Sequence, residues 1–481
     1  MADSLKRKTG LAFFWSFIDK GGQQIIQFVL YFFYPRLIAK EEIGYIAVLA
    51  VFTLVANILQ ESGFSSALIR KKNVLQSEYT SVFYFNVGIS ILIYIIFFIC
   101  APLISAFYEK PLTDLSRFIF LGFVFSSFAI VQNVNLAKKL DFKTNTRITF
   151  LTSMIAGIIA VTMAYNGFGV WSIATYSVLQ TLLRTVGLWL LVKWVPTGGF
   201  RFIHIKEMFP YSSKLLITSL MNQLCNNILP LIIGKKFSFA EVAFYERANK
   251  LHTPLPVISD GIKGVAYPLL SNIGDNDERG KKIFRKVIRI TCFIAFPAAM
   301  FLIVLAKPVV SLYLPPSWSE VTTMLQILAI GGAFFPLYNL IGSLLQYKGK
   351  SGILFYVEMI RNILLLLSIF ITFRYGVIGM VAGISAVNLV SFFIGIYIAG
   401  RFISYSLIEV FKDILPYLVV AAISIFPFFF LDKLGVENVL LLLFIPLVGG
   451  LLYLLIVKLL GSVVINDTIE FIKQSFRKNV C

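Results

Sequence analysis

The sequence predicts an all-α, polytopic membrane protein of about fourteen transmembrane helices. Three observations predict it. The 481 residues are 58% hydrophobic and only 14% charged, whereas soluble domains are about 45–50% apolar and about 25% charged. Apolar runs recur from end to end, each able to cross ~30 Å of hydrocarbon. Nearly all of the +19 net charge falls in the segments that alternate crossing places on the same side of the membrane as the N-terminus.

The first run, 11–34, follows Lys6, Arg7 and Lys8. It is too long for the apolar core of a secretory signal and lacks a small-residue cleavage site, so it is expected to be retained. Runs at 43–65, 80–107, 116–136, 148–165 and 169–192 follow across short basic connections. The next set lies at 212–234, 251–270, 288–314, 321–346, 353–373 and 377–400. Within it 251–270 is the weakest, because Pro254, Pro256, Asp260 and Lys263 interrupt it. Runs 414–431 and 438–460 close the chain. The Lys/Arg bias places both termini in the cytoplasm. The excess charge is therefore topological and suits anionic headgroups rather than nucleic acid. Cys100, Cys225, Cys292 and Cys481 form no CxxC, and three lie in apolar runs. They read as packing residues, not as disulfides or metal ligands.

The chain reads as duplicated. YPRLIAKEEIGY (34–45) resembles LPLIIGKKFSFAEVAFY (229–245), APLISAFY (101–108) resembles AKPVVSLY (306–313), and NGFGVWSIA (166–174) resembles YGVIGMVAG (375–383). Six runs separate each pair, so the halves are parallel. Such repeats predict two six-helix lobes, 1–205 and 206–405, around a central cavity opened by alternating access. Residues 406–481 supply two further helices and a tail.

Both opening helices carry a polar stripe. Ser16, Asp19, Lys20, Gln23 and Gln27 share one face of the first, and Gln24 lies beside them. One repeat later stand Lys214, Thr218, Ser219, Asn222, Gln223, Asn226 and Asn227. A charge at mid-bilayer costs roughly 2.5–3.5 kcal/mol or more, so such residues face a wet cavity or each other. Amides and hydroxyls both donate and accept, which suits sugar hydroxyls. Gln23, Gln27, Asn222, Gln223 and Asn226 are therefore candidate sugar contacts. Lys20, Arg184 and Lys214 are candidates for a phosphate-bearing group. Arg184 has no acid in its own span, and pairing with Glu61 is its alternative. Asp19, Glu61, Asp260 and Glu358 are candidates for coupling to a proton or sodium ion. Asp260–Lys263 and Glu358–Arg361 read equally well as structural ion pairs. Lys281, Arg285 and Arg289 share one helical face, expected to meet headgroups, with diphosphate capture as the second reading.

Several chemistries are excluded. KGKS at 348–351 ends like a phosphate-binding loop, but the glycine that loop requires is Leu344 and an apolar helix precedes it. His204 and His252 form no metal-binding spacing, and no nucleophile motif appears. No cofactor, catalytic residue or metal site is expected, and the chain does not read as an enzyme.

In their order, PRLIAKEEIGYIAV, ESGFSSALIRKK, APLISAFY, NGFGVW, KLLITSLMNQLCNNILPLIIGKKF, AFYERANKL and AYPLLSNIGDNDE resemble the polysaccharide-transporter family of the multidrug, oligosaccharidyl-lipid and polysaccharide flippase superfamily. The resemblance runs over most of residues 10–405. The sequence departs from the family pattern at Leu229-Pro230, at Ala243-Phe244-Tyr245 and at Gly349-Lys350-Ser351-Gly352. The resemblance implies a bacterial inner-membrane flippase that carries undecaprenyl-diphosphate-linked repeat units outward for O-antigen, capsule or exopolysaccharide assembly. It also implies membrane lipids, a polysaccharide polymerase and glycosyltransferases as partners, and no nucleic acid. Two alternatives stay open: a cation-coupled drug or small-solute antiporter of the same superfamily, and a membrane-embedded polysaccharide-modifying enzyme.

Overall fold

A computed structural model describes residues 2–61, 63–71, 73–256, 270, 277–434 and 438–461. Among them there is no strand. Contacts divide the chain into two compact units, 1–243 and 244–481.

Unit 1 contains α1 (Ala2–Leu37), α2 (Lys40–Glu61), α3 (Phe64–Arg70), α4 (Gln76–Tyr108), α5 (Thr113–Ser127), α6 (Ile130–Lys139), α7 (Phe142–Tyr165), α8 (Val170–Leu191) and α9 (Phe202–Lys236). α10 (Phe239–His252) runs across the division. Within this unit α1 packs on α7, α7 on α8, α4 on α5, α5 on α8, and α9 on α2 and α4. Small residues let backbones approach: a Cβ on Gly22 would meet Phe150, one on Gly157 would meet Leu30 and Ile26, and one on Gly187 would meet Ile148. α9, expected to open the second repeat, thus packs inside the first compact unit.

Unit 2 contains α11 (Asp277–Tyr313), α12 (Glu320–Gly332), α13 (Phe335–Tyr347), α14 (Ser351–Thr372), α15 (Gly376–Gly400), α16 (Leu407–Ile425) and α17 (Asn438–Leu459). α11 packs on α12, α16 and α17, and α15 packs on α12, α13 and α14. Its core includes Phe284, Ile288, Phe296, Leu337, Leu344, Phe392 and Val410.

Eight stretches among the described residues are long and apolar enough to cross a membrane, or nine if the bent pair α5–α6 is one span. α1, α8 and α9 are of crossing length, but their charges and amides lower their hydropathy. The protein is a multi-pass helical membrane protein. The weak span at 251–270, with Asp260 and Lys263, lies mostly outside the described residues.

Two runs that read as single spans, 116–136 and 321–346, are broken helices. α5 stops at Ser127 and α6 resumes at Ile130; α12 stops at Gly332 and α13 resumes at Phe335. A break frees backbone carbonyls that lipid cannot satisfy. At the first break α8 supplies the donors: Thr185 Oγ1 donates to the Phe125 carbonyl and Trp189 Nε1 to that of Phe128, both at 3.0 Å. Near the second, Ser385 of α15 donates to the Ile327 carbonyl at 2.7 Å. Pro336, lacking an N–H, sits in the first turn of α13. The third repeat motif also has a structural counterpart. Gly167 before α8 and Gly376 at the start of α15 both turn in the left-handed region, at φ +81° and +74°.

The basic face of α11 is not free for headgroups, which corrects the expectation from sequence. Arg285 donates through Nε and Nη2 to both oxygens of Asp413, at 2.7 and 3.0 Å. Arg289 adds 2.9 and 2.6 Å bonds to the same carboxylate, and the Tyr405 hydroxyl donates at 2.8 Å. Lys281 and Arg285 also pair with Glu409, at 2.9 and 3.2 Å. These acids lie on α16, so the cluster fastens α16 to α11. Among the described residues, Cys100 and Cys292 are free thiols.

Candidate functional site

The site begins on α1. One helical turn separates Asp19 from Gln23, and Gln23 Nε2 donates to Asp19 Oδ1 at 3.0 Å. The other Asp19 oxygen accepts from Asn145 Nδ2 of α7 at 3.3 Å. The carbonyl oxygen of Asn145 then accepts from Arg184 Nη2 of α8 at 3.1 Å. The same Nη2 reaches Asn133 Oδ1 of α6 at 2.8 Å, and Arg184 Nε reaches Thr149 Oγ1 at 3.3 Å. Four helices are thereby joined through one guanidinium. Its hydrogen-bond partners among the described residues are all neutral, and Asp19 sits one amide away.

This arrangement sorts the residues expected from sequence. Asp19, Gln23 and Arg184 come together. Arg184 does not pair with Glu61, which is exposed at the end of α2, whereas its neighbour Gln60 accepts from Ser126 at 3.0 Å. Lys20 is exposed and Gln27 half-buried on the same helix. On α9 the amides turn back on their own helix: Asn226 Nδ2 donates to the Asn222 carbonyl at 2.8 Å, and Asn227 Nδ2 to that of Gln223 at 2.9 Å. The helix kinks there, with non-helical angles at Asn227. Pro230 explains it, because its ring crowds the carbonyl four residues back and removes a donor. The side chains of Gln223 and Asn222 are half-buried, and that of Lys214 lies outside the described residues. Glu358 lies in unit 2, where it lines a chamber of about 290 Å³.

The sequence reading missed Asn145 and Thr149 as partners of Arg184. It started the fifth span at 148, since Lys143 and Arg147 resemble loop residues. The signal was present in Asp141, whose carboxylate caps the helix by accepting from Thr144 N at 3.1 Å. Starting α7 at Phe142 puts Asn145, Thr149 and Ser153 on one face.

The fold also brings together Glu78, His204 and Glu207, with ligand atoms within 4.8 Å of one another. Glu78 is already occupied, by Lys71 and by the Leu75 N–H at 2.9 Å. Ser77 engages His204 Nε2 at 3.2 Å.

Comparison with known proteins agrees with this architecture. The chain is 24% identical over 424 residues to the teichuronic acid biosynthesis protein TuaB of Bacillus subtilis (strain 168), covering 86% of this chain and 87% of that protein. It is 24% identical over 365 residues to the lipopolysaccharide biosynthesis protein WzxC of Escherichia coli (strain K12), covering 74% and 73%. The lipid II flippase MurJ, in an inward closed conformation, shares its fold with a TM-score of 0.75 at 15% identity, over 95% of this chain and all of that one. A MATE transporter matches less fully, with a TM-score of 0.56 over 80% of this chain and 94% of that one. Residues 34–323 match the family described as polysaccharide biosynthesis protein. Matched over more than half its length, and carrying the helical fold of the MOP superfamily transporters, the chain belongs to the polysaccharide biosynthesis protein family.

Proposed function

We propose that this chain is a bacterial inner-membrane flippase that moves undecaprenyl-diphosphate-linked oligosaccharide repeat units outward by alternating access of its two repeats, 1–205 and 206–405. Both termini lie in the cytoplasm, and the chain catalyses no covalent chemistry. The observation that supports this best is Arg184. A guanidinium among membrane helices is costly, and among the described residues no carboxylate touches it. Three neutral acceptors orient it and leave its charge available to a diphosphate, which a planar fork recognises better than an ammonium. Lys20 and Lys214 add charge for the same group. Gln23, Gln27, Asn222, Gln223 and Asn226 contact sugar. A proton or sodium ion couples at Asp19, Glu61, Asp260 or Glu358. A polymerase and glycosyltransferases act beside it.

Deleting the gene is expected to leave complete lipid-linked units inside the membrane. Arg184→Gln, present at normal level, is expected to lower surface glycan at least tenfold, and Arg184→Lys not to restore it. Wild-type export by Arg184→Gln would remove the guanidinium from the mechanism. Loss of resistance to cationic drugs with glycan export intact would instead indicate an antiporter. For the stripe, Gln23→Leu with Gln27→Leu is expected to insert normally and to reduce surface glycan several-fold. Full export by that double variant would refute the sugar contact.

A further inference from the structure

The ion cluster that closes the basic face of α11 stops at Arg289, the last of its three cations. Asp413 takes Nε and Nη2 of that guanidinium, at 2.9 and 2.6 Å. Nη1 makes no hydrogen bond among the described residues, and the side chain is 29% exposed. Beside it, within unit 2, α11, α16 and α17 meet around a pocket of about 190 Å³. Its charged lining is Arg289, Lys412 and Asp413, and its apolar lining includes Val420, Val457 and Leu460.

The charges there do not cancel. Asp413 is a single carboxylate with its side chain 1% exposed, and Arg285 shares it with Arg289. Lys412 is exposed on α16 and forms no ion pair among the described residues. Two guanidinium groups and an ammonium therefore stand against one buried acid, while Glu409 on the same helix is matched by Lys281. The pocket keeps a surplus of positive charge. Binding Nε and Nη2 to Asp413 also fixes the guanidinium plane, so Nη1 is presented to a ligand already oriented.

The backbone of α16 adds an acceptor. Pro416 has no N–H for the Lys412 carbonyl four residues back, and its ring crowds that oxygen. That carbonyl needs a donor from water or a ligand. At ~30 Å³ per water the pocket holds on the order of six waters. This is room for a phosphate and its first ester carbons, and too little for an oligosaccharide. The apolar wall runs out to Leu460, which is 64% exposed, so an alkyl chain leaves the pocket along lipid-facing surface. A basic pocket between membrane helices suits an anionic headgroup.

We propose that this pocket binds one anionic phospholipid of the phosphatidylglycerol type, which clamps the end of α17 to α11 and α16. Its phosphate lies between Arg289 Nη1 and the Lys412 ammonium, a glycerol hydroxyl donates to the Lys412 carbonyl, and its acyl chains run over Val457 and Leu460. Phosphatidylethanolamine brings an ammonium of its own to the same two cations and is disfavoured. The site stands whatever cargo the protein carries.

The test uses the purified, delipidated full chain in detergent. Native mass spectrometry counts bound lipid, and thermal unfolding reads its effect. The probes are phosphatidylglycerol, phosphatidylethanolamine with the same chains, undecaprenyl phosphate and inorganic phosphate. Wild type is expected to hold one phosphatidylglycerol roughly fivefold or more tightly than phosphatidylethanolamine, and to melt higher with it. Lys412→Gln is expected to weaken phosphatidylglycerol roughly fivefold, the share of one basic group at an anionic headgroup. It is also expected to lose most of the rise in melting temperature while melting like wild type without lipid. Lys412→Arg is expected to retain both. Leu460→Asp, which sets an acid at the mouth, is expected to weaken binding as Lys412→Gln does. Lys282→Gln removes the same charge from an exposed position of α11 outside the pocket and is expected to change neither readout. Equal affinity for the two phospholipids overturns the proposal. So does an equal loss in Lys412→Gln and Lys282→Gln, which reduces the effect to bulk surface charge. Displacement of the lipid by inorganic phosphate, or tighter binding of undecaprenyl phosphate than of phosphatidylglycerol, overturns it by assigning the pocket to another ligand.

Discussion

Asp413→Ala is expected to destabilise the protein by about 3–5 kcal/mol, the cost of removing one partner from a buried ion cluster. Asp413 is 2% exposed, and its two oxygens accept five hydrogen bonds from Arg285, Arg289 and Tyr405. Alanine leaves two guanidinium groups and a phenol facing each other with no acceptor between them. Asp413→Asn keeps the shape but turns an NH₂ toward those donors, so its loss is expected to fall between alanine and wild type. Glu409→Ala is expected to cost less, because Glu409 is 28% exposed and water replaces it. Replacing the trio together, as Asp413→Leu, Arg285→Leu and Arg289→Met, is expected to recover most of the loss, since packed apolar groups substitute well for buried ions. Thermal unfolding in detergent, followed by intrinsic fluorescence, reads the series. A triple variant no better than Asp413→Ala would show that the charges themselves are needed to dock α16.

The second large effect is expected at Gly44. A Cβ there would stand 2.0 Å from the Phe239 carbonyl oxygen, and backbone cannot swing aside as a side chain does. Gly44→Ala forces the start of α2 away from the start of α10, at about 1–3 kcal/mol, and Gly44→Val forces them further. Gly44 lies in YPRLIAKEEIGY and Phe239 in the 229–245 stretch that resembles it, so the contact joins the two similar segments within unit 1. Phe239 lies 4.7 Å from the Tyr45 ring and 5.8 Å from Tyr108, so separation also opens an aromatic cluster. The opposite sign is expected at Gly88, inside α4 with nothing within 4 Å. There alanine is expected to stabilise by about 0.5–1 kcal/mol, through helix propensity alone. Equal behaviour of the two glycines in a melting assay would contradict the close approach.

Much of this fold is legible from hydropathy, because lipid leaves a spanning chain no option but the helix. One resemblance between the halves has a local counterpart: Gly167 before α8 and Gly376 at the start of α15 both take positive φ. What escaped the sequence depends on distant partners. Nothing near Arg285 announces that Asp413, 128 positions later, will neutralise it, so a basic helical face reads as a membrane contact. The breaks at Phe128 and Ala333 escaped for another reason: apolar residues continue through both, and hydropathy does not register backbone angle. The site was half legible. Arg184, Asp19 and Gln23 stand out as polar residues in apolar runs, whereas Asn145 was hidden by the lysine and arginine flanking it.

An amide has two unlike ends, and at Asn145 each is committed. Its hydrogens face the Asp19 carboxylate, and its oxygen faces the Arg184 guanidinium. Turned end for end, it would aim hydrogens at a cation and an oxygen at an anion, so both neighbours forbid the flip. Any anion that drew the guanidinium outward would remove one of these two constraints and leave the other: Asp19 would still hold the amide hydrogens, while the amide oxygen stood open to a new donor. The orientation of one side chain thus ties α8 to α1 across α7.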